Sequence, residues 1–258
     1  MISKAIREFK ASNYDPSTVI GEFSGRDSVA AIMKAFEDPS IKYVLPIASF
    51  AGTEYGDFNV LYENYEKLLK IVAKRYGDQK RVYPLLEYSN MDIWGIMNGR
   101  SIGMYADRFG FVTPCIGCHL YFHLTKLPFA LALSGRILSG ERESHDGRIK
   151  VNQLGICLDA YQEVIKECGG NLLMPIRHLE NGESIEALIG WDWAEGKDHP
   201  KCVLSGNYRD VKGTAMVEEE SLKAYLDQVL EPVGHAIGMY LIEGRNDIVK
   251  LREEVLSK

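Results

Sequence analysis

The chain has 258 residues, 46% hydrophobic and 26% charged, the composition of a soluble globular protein with room for one large α/β domain or one with a small appendage. A net charge of −6 and a pI near 5.6 exclude the basic field that gripping a long nucleic acid requires, which favours a small-molecule substrate over tRNA. No apolar run approaches the roughly 18 residues of a membrane span. The charged start, Met1 to Glu8, lacks the apolar core of a signal peptide, so no membrane partner and a cytoplasmic location are expected.

Along the chain, apolar β-rich runs alternate with helical periodicity. Strands are predicted over Thr18–Phe23, Tyr43–Ser49, Arg81–Leu86, Arg136–Ser139 and Asn171–Ile176, and helices near 29–37, 60–76, 91–107, 117–133 and 154–168. This alternation predicts an α/β fold, an open, doubly wound and mostly parallel five-stranded sheet. Ligands in such sheets bind past the carboxyl ends of the strands. Ser24, Ser49 to Gly52 and Gly140 to Arg142 all fall there. After about Asp210, Glu218–Leu230 and Pro232–Leu256 read as amphipathic helices. The expected division is therefore a domain over 1–210 and a helical extension over 211–258. Leu222, Leu226, Ile237, Tyr240 and Leu241 would pack on the domain or on a second subunit, and a homo-oligomer is expected.

The first strand empties into Ser24-Gly25-Arg26-Asp27-Ser28, which opens directly into the helix of Val29 to Phe36. Strand, tight loop and helix start in that order make an anion site, because free backbone N–H groups and the helix dipole converge there. Ser24 and Ser28 add hydroxyls, Arg26 a cation, and Asp27 a carboxylate able to steer magnesium. Ser24-x-x-Asp27 equally fits a capping box. No Walker A pattern occurs.

Cysteine usage is the second feature. Five Cys, an odd count, argue against a disulfide framework. Cys115 and Cys118 stand at x-x spacing at a predicted helix start, where the dipole favours thiolate. With Cys202 they could hold three irons of a [4Fe–4S] cluster. With His119 or His123 they could form a tetrahedral zinc site, and three plain thiols remain the third reading. Cys157 and Cys168 lie on a predicted helix and read as core.

Ser24-Gly25-Arg26-Asp27-Ser28 resembles the pyrophosphate loop, or PP-loop, of the ATP pyrophosphatase superfamily, whose usual Ser-Gly-Gly-x-Asp-Ser carries one more Gly. The order PP-loop, Cys115-x-x-Cys118 and Gly140-Glu141-Arg142, then Cys202, is similar to the sulfur-inserting branch, which includes tRNA 2-thiolation enzymes and nickel-pincer cofactor sulfur transferases. Asn171 to Ile176 with Ile185 to Leu188, and Pro200 to Ser205, add to the likeness, which covers about residues 17 to 210. Where relatives carry an acid pair, Ser144 and His145 stand here, with Asp146 the nearest carboxylate, and Gly206-Asn207-Tyr208 precede Arg209.

The resemblance implies an adenine nucleotide α-hydrolase-like fold and an ATP-dependent sulfur transferase. A substrate oxygen would attack the α-phosphorus of ATP, pyrophosphate would leave, and sulfur would displace AMP. Ser24, Gly25, Arg26 and Ser28 would hold the pyrophosphate, Asp27 would orient Mg2+, and backbone near Ala48, Ser49 and Phe50 would meet adenine. Gly140 and Glu141 would join the cofactor-binding set, and Glu141, Arg142 and Arg148 would line the substrate side, with Asp27, Arg142 and Cys202 catalytic. Cys115, Cys118 and Cys202 would hold the [4Fe–4S] cluster, and a sulfur donor or carrier protein would be the partner. The alternatives are an amide-forming PP-loop ligase without a cluster and an inactive nucleotide-binding protein. Trp191 and Trp193, around Asp192, read as packing or as a lid.

Overall fold

A computed structural model describes residues 9–99, 102–111, 114–192, 199–205 and 209–256. In chain order the sheet elements and helices of the first half are β1 (Val19–Glu22), α1 (Arg26–Ala35), β2 (Tyr43–Ala48), β3 (Glu54–Tyr55), α2 (Val60–Tyr76), β4 (Arg81–Val82), β5 (Leu86–Glu87), α3 (Met91–Asn98), α4 (Ile102–Phe109) and α5 (Pro114–Leu131). The second half adds β6 (Arg136–Leu138), α6 (Gly155–Glu167), β7 (Asn171–Leu173), α7 (Gly182–Ile189), β8 (Lys201–Cys202), α8 (Glu219–Tyr225), a π-helical turn (Leu226–Leu230), α9 (Glu231–Ile242) and α10 (Ile248–Leu256).

The main sheet runs β4-β2-β1-β6-β7 with every pairing parallel, and β5 continues the β4 edge against β2. The predicted third strand is thus split in two. Its pairs with β2 are Val44 with Val82 and Ile47 with Leu86. Pro46 and Pro84 sit in the interval between them, and proline donates nothing to a ladder. Strand order reverses between β1 and β6, so the carboxyl ends of these two strands frame the crevice of a doubly wound sheet.

Alternation along the strands sends neighbours to opposite faces. Val19 and Val44 join α1, α2 and α7 through Val29, Ile32, Leu68, Val72, Ile185 and Ile189. Ile20 and Leu45 face α3, α5 and α6 on the other side. Leu222, Leu226, Ile237 and Tyr240 belong to that second cluster, and Leu241 packs against it. The C-terminal helices therefore complete the same core rather than forming a separate unit. Helix α5 lies between the sheet and α9, which is why it is apolar on every side.

Two helical expectations change in detail. The 91–107 segment breaks at Gly99, giving α3 and α4. In the last segment the break falls at Gly244, with φ +62°, while Gly238 lies inside α9. A Cβ at Gly238 would stand 2.4 Å from the Cys168 sulfur, so that glycine serves packing. A short antiparallel ribbon, Glu54 opposite Cys202 and Tyr55 opposite Lys201, has no counterpart in the sequence reading.

Candidate functional site

The crevice between β1 and β6 opens into a cavity of about 290 Å³. Ser24 to Ser28 form one wall, Ser139 to Glu141 another, and Ser49, Lys126 and Cys202 the far side. Thus Ser24, Gly25, Arg26, Asp27, Ser28, Ser49, Gly140, Glu141 and Cys202 come together as expected.

The loop is built from backbone. Gly25 is the N-cap of α1 and makes no side-chain cap, so the capping-box alternative is not formed. Instead the Ser28 hydroxyl donates to Gly25 O at 2.7 Å and accepts from Ser24 N at 3.0 Å, closing the turn on itself. The first helical bond is Val29 N to Gly25 O at 3.3 Å. The preceding N–H groups have no carbonyl within the helix to meet. Gly140 completes the wall: a Cβ there would lie 2.7 Å from both Asp27 C and Ser28 N.

Asp27 is surrounded by cationic and donor groups. Its Oδ2 lies 3.0 Å from His145 Nε2 and 3.4 Å from Arg142 Nε, and its Oδ1 lies 3.4 Å from Arg26 Nε. Burial alone would raise its carboxyl, but the His145 hydrogen bond and the Arg142 charge, with Arg26, hold it down at about 2. The same burial lowers His145, and an ionised carboxylate only accepts, so His145 donates through Nε2. A magnesium ion would be one more cation in this ring, and the residues do not fit it at Asp27.

Arg142 departs from expectation. It is fully buried and lies outside the cavity lining. Its Nη1 donates to Leu179 O at 3.0 Å and Glu180 O at 3.4 Å, so it braces Asp27 from behind. Arg148 is also absent from the lining, whereas Lys150 is in it. Asp146 is turned away: its Oδ1 accepts from Gly182 N at 2.8 Å at the start of α7. Phe50 is off the lining too, with its N–H given to Ser89 Oγ at 2.7 Å and its carbonyl taken by Tyr121 OH at 3.2 Å. Arg209 forms an isolated bridge with Ala215. Trp191 packs beneath Lys67, 5.6 Å from ring centre to Nζ, and Trp193 lies outside the described residues, as do Met1 to Glu8 and Gly206 to Tyr208.

Both histidines offered for zinc are committed to carboxylates. His119 Nδ1 bonds Glu141 Oε1, and its Nε2 takes the Asn152 amide at 3.0 Å. His123, fully buried, bonds Glu22 Oε1 through Nδ1 at 2.6 Å, and its Nε2 stands 3.9 Å from Glu141 Oε1. Burial pulls Glu141 up, yet the neighbouring His119, with His123, brings its carboxyl down to about 2.

Of the three thiols only Cys202 lines the cavity; Cys115 and Cys118, on α5, do not. Trp94 Nε1–H donates to Cys118 Sγ at 3.3 Å. Cys202, on β8, is 3.4 Å from Thr53 Oγ1 and accepts from Leu204 N at 3.4 Å. Burial pushes the Cys118 thiol up against the Trp94 hydrogen bond, and the charges of Glu54, Cys115 and Cys202 add to that shift. Among the described residues, no three His, Cys, Asp or Glu are arranged to hold a single metal ion. A cluster that gives each thiolate its own iron makes a wider demand. The donor type and the indole N–H at Cys118 suit that demand.

Sequence reasoning missed Glu22, Glu54 and Lys126, all on the cavity wall. Lys126 had a signal, since it is a charge inside an otherwise apolar helical run and such a residue is seldom buried without purpose. Glu54 had none, because its place depends on the β3–β8 ribbon.

No family model matches the chain, and no solved structure matches it. The uncharacterized protein MJ0009 of Methanocaldococcus jannaschii is 39% identical over 213 residues, which span 83% of this chain and 76% of that one.

Proposed function

We propose that the chain, which belongs to the same family as the Methanocaldococcus jannaschii protein, is an AMP-forming, ATP-dependent sulfur transferase of the PP-loop type. One juxtaposition carries the proposal: the uncapped start of α1, walled by Gly140, shares a cavity with Cys202. The loop end is suited to the departing pyrophosphate, since its N–H groups and Arg26 face charge as it develops. The thiol end is suited to the sulfur that replaces AMP. Cys115, Cys118 and Cys202 would hold a [4Fe–4S] cluster, which when bound supplies an iron with an open position for sulfide. Seating it requires Cys118 to lose its proton, so loading releases protons and weakens as pH falls.

The test is product analysis with ATP labelled in the α-phosphate, on protein purified without oxygen and supplied with sulfide. AMP and pyrophosphate are expected, together with about four irons per chain. ADP and phosphate alone would overturn the reading. AMP formation with labelled ammonia incorporated and no iron retained would replace it with the amide-forming ligase. Tight ATP binding without turnover would leave a nucleotide-binding protein.

A further inference from the structure

Lys126 is the unexplained group of the cavity. It is 1% exposed, on a helix that is apolar around it, and still lines the cavity. Its Nζ donates to Ser49 Oγ at 2.6 Å and to Thr125 Oγ1 at 3.5 Å, with the Phe122 ring 5.4 Å away. Among the described residues it makes no ion pair within 4 Å, although Glu22, Glu54 and Glu141 share the cavity.

The number of acceptors around Nζ matches a neutral amine. Ser49 spends its own proton on Tyr88 O, and Thr125 spends its own on Phe122 O at 2.9 Å. Each hydroxyl therefore offers Nζ only a lone pair. Two acceptors take the two hydrogens of an uncharged amine and leave its lone pair unassigned, whereas the third hydrogen of an ammonium meets only the face of the Phe122 ring.

We propose that Lys126 is a nucleophilic amine that condenses with a carbonyl-bearing substrate, an aldehyde or ketone, in this cavity. The lone pair attacks the carbonyl carbon, and a C–N bond forms as the C=O π pair moves to oxygen. A proton passes from nitrogen to that oxygen, which then leaves as water as C=N forms. Carbonyl and amine give imine and water, with no oxidant or reductant required. Burial draws the Lys126 ammonium down to about 8, against the opposing pull of Glu22 and Glu54. The free amine is thus available far below the usual lysine range.

The experiment is imine trapping on the full chain, without nucleotide, using acetaldehyde and cyanoborohydride from pH 6 to 10. Mass spectrometry maps the ethylated lysines. Lys126 is expected to react at least tenfold faster than exposed Lys166 at pH 7.5. Its rate should be half-maximal near pH 8, while that of Lys166 is still rising above about 10. A Lys126→Met chain, checked for folding by circular dichroism, should lose only that fast adduct. Ser49→Ala, which removes the nearer acceptor of Nζ, should keep the fast adduct and shift its midpoint. Slower labelling of Lys126 than of Lys166, or a midpoint shared with the surface lysines, would overturn the proposal. Because no ATP enters the assay, failure of adenylation would leave this result untouched, and the reverse.

Discussion

The two ends of the cavity are made by different means. At the loop end, the backbone of the turn after β6 lies against the backbone of α1, and Asp27 is locked among Arg26, Arg142 and His145. At the thiol end, Cys202 is brought to the cavity by a two-residue ribbon to β3, while Cys115 and Cys118, on α5, lie outside the lining. The first end is part of the fold's own support, so damage there unfolds the protein as well as emptying the site. At the second, only the Cys202 ribbon lies over a finished core, so that thiol is open to change at little structural cost, whereas Cys118 is buried in α5. Five substitutions test that contrast.

Asp27→Asn is the most severe. It leaves the fully buried Arg142 without its carboxylate, and breaking such a pair costs about 3 kcal/mol. The pH dependence has a defined sign. The Asp27 carboxyl lies at about 2 in the folded chain against 3.8 when free. Its contribution, about 2 kcal/mol, is therefore complete above about pH 4 and lost as pH falls through about 2. Urea midpoints at pH 6 and pH 3 should drop less in the variant than in the parent. Equal drops would mean that Asp27 is not coupled to its cationic neighbours.

Gly140→Ala comes next. The new Cβ would meet backbone atoms of Asp27 and Ser28 at 2.7 Å, and backbone yields less readily than the tip of a side chain. Overpacking of this kind costs about 2 kcal/mol, or a melting temperature lower by about 4–8 °C for a chain of this size. Nucleotide binding should fall with it. An unchanged melting temperature would show that the β6 turn can draw back from α1.

This division also explains what could be read from the chain before its fold was known. The five strand positions, the helix at 60–76 and the meeting of Ser24, Ser49 and Gly140 follow from local periodicity and from the rule for strand ends. The split at Pro46 and Pro84 was present in the letters, yet only pairing shows that both prolines fall in one interval. Arg142 follows the Gly140 turn directly, but its direction depends on the carbonyls of Leu179 and Glu180, which arrive from a distant segment. Glu54 and Cys202 meet through two bridge pairs, too short a ribbon to leave a periodic signal.

Ser28→Ala sharpens the account of the loop at smaller cost. It removes the hydroxyl that ties Ser24 N to Gly25 O, worth about 1 kcal/mol in denaturant titration. ATP affinity should fall further than that stability loss implies, because the turn that aims the α1 N–H groups is no longer closed. Full ATP affinity in a destabilised chain would detach the loop's shape from nucleotide recognition.

Cys202→Ala should be the mildest for the fold and decisive for the chemistry. The sulfur is half-buried, and its contacts, Thr53 Oγ1 and Leu204 N at 3.4 Å, are weak ones. Stability should therefore move by no more than about 0.5 kcal/mol, with the β3–β8 ladder intact because its bonds are main-chain. Cys118→Ala is the useful contrast, since it opens a void beside Trp94 in the buried wall of α5. If the three thiols act together, both variants lose iron and acid-labile sulfide after anaerobic purification, although only Cys118→Ala loses much stability. AMP formation, which depends on the loop end, should survive in Cys202→Ala while sulfur transfer stops. Were iron retained in Cys202→Ala, this thiol would not be a cluster ligand, and its place on the cavity wall would have to be explained by contact with substrate.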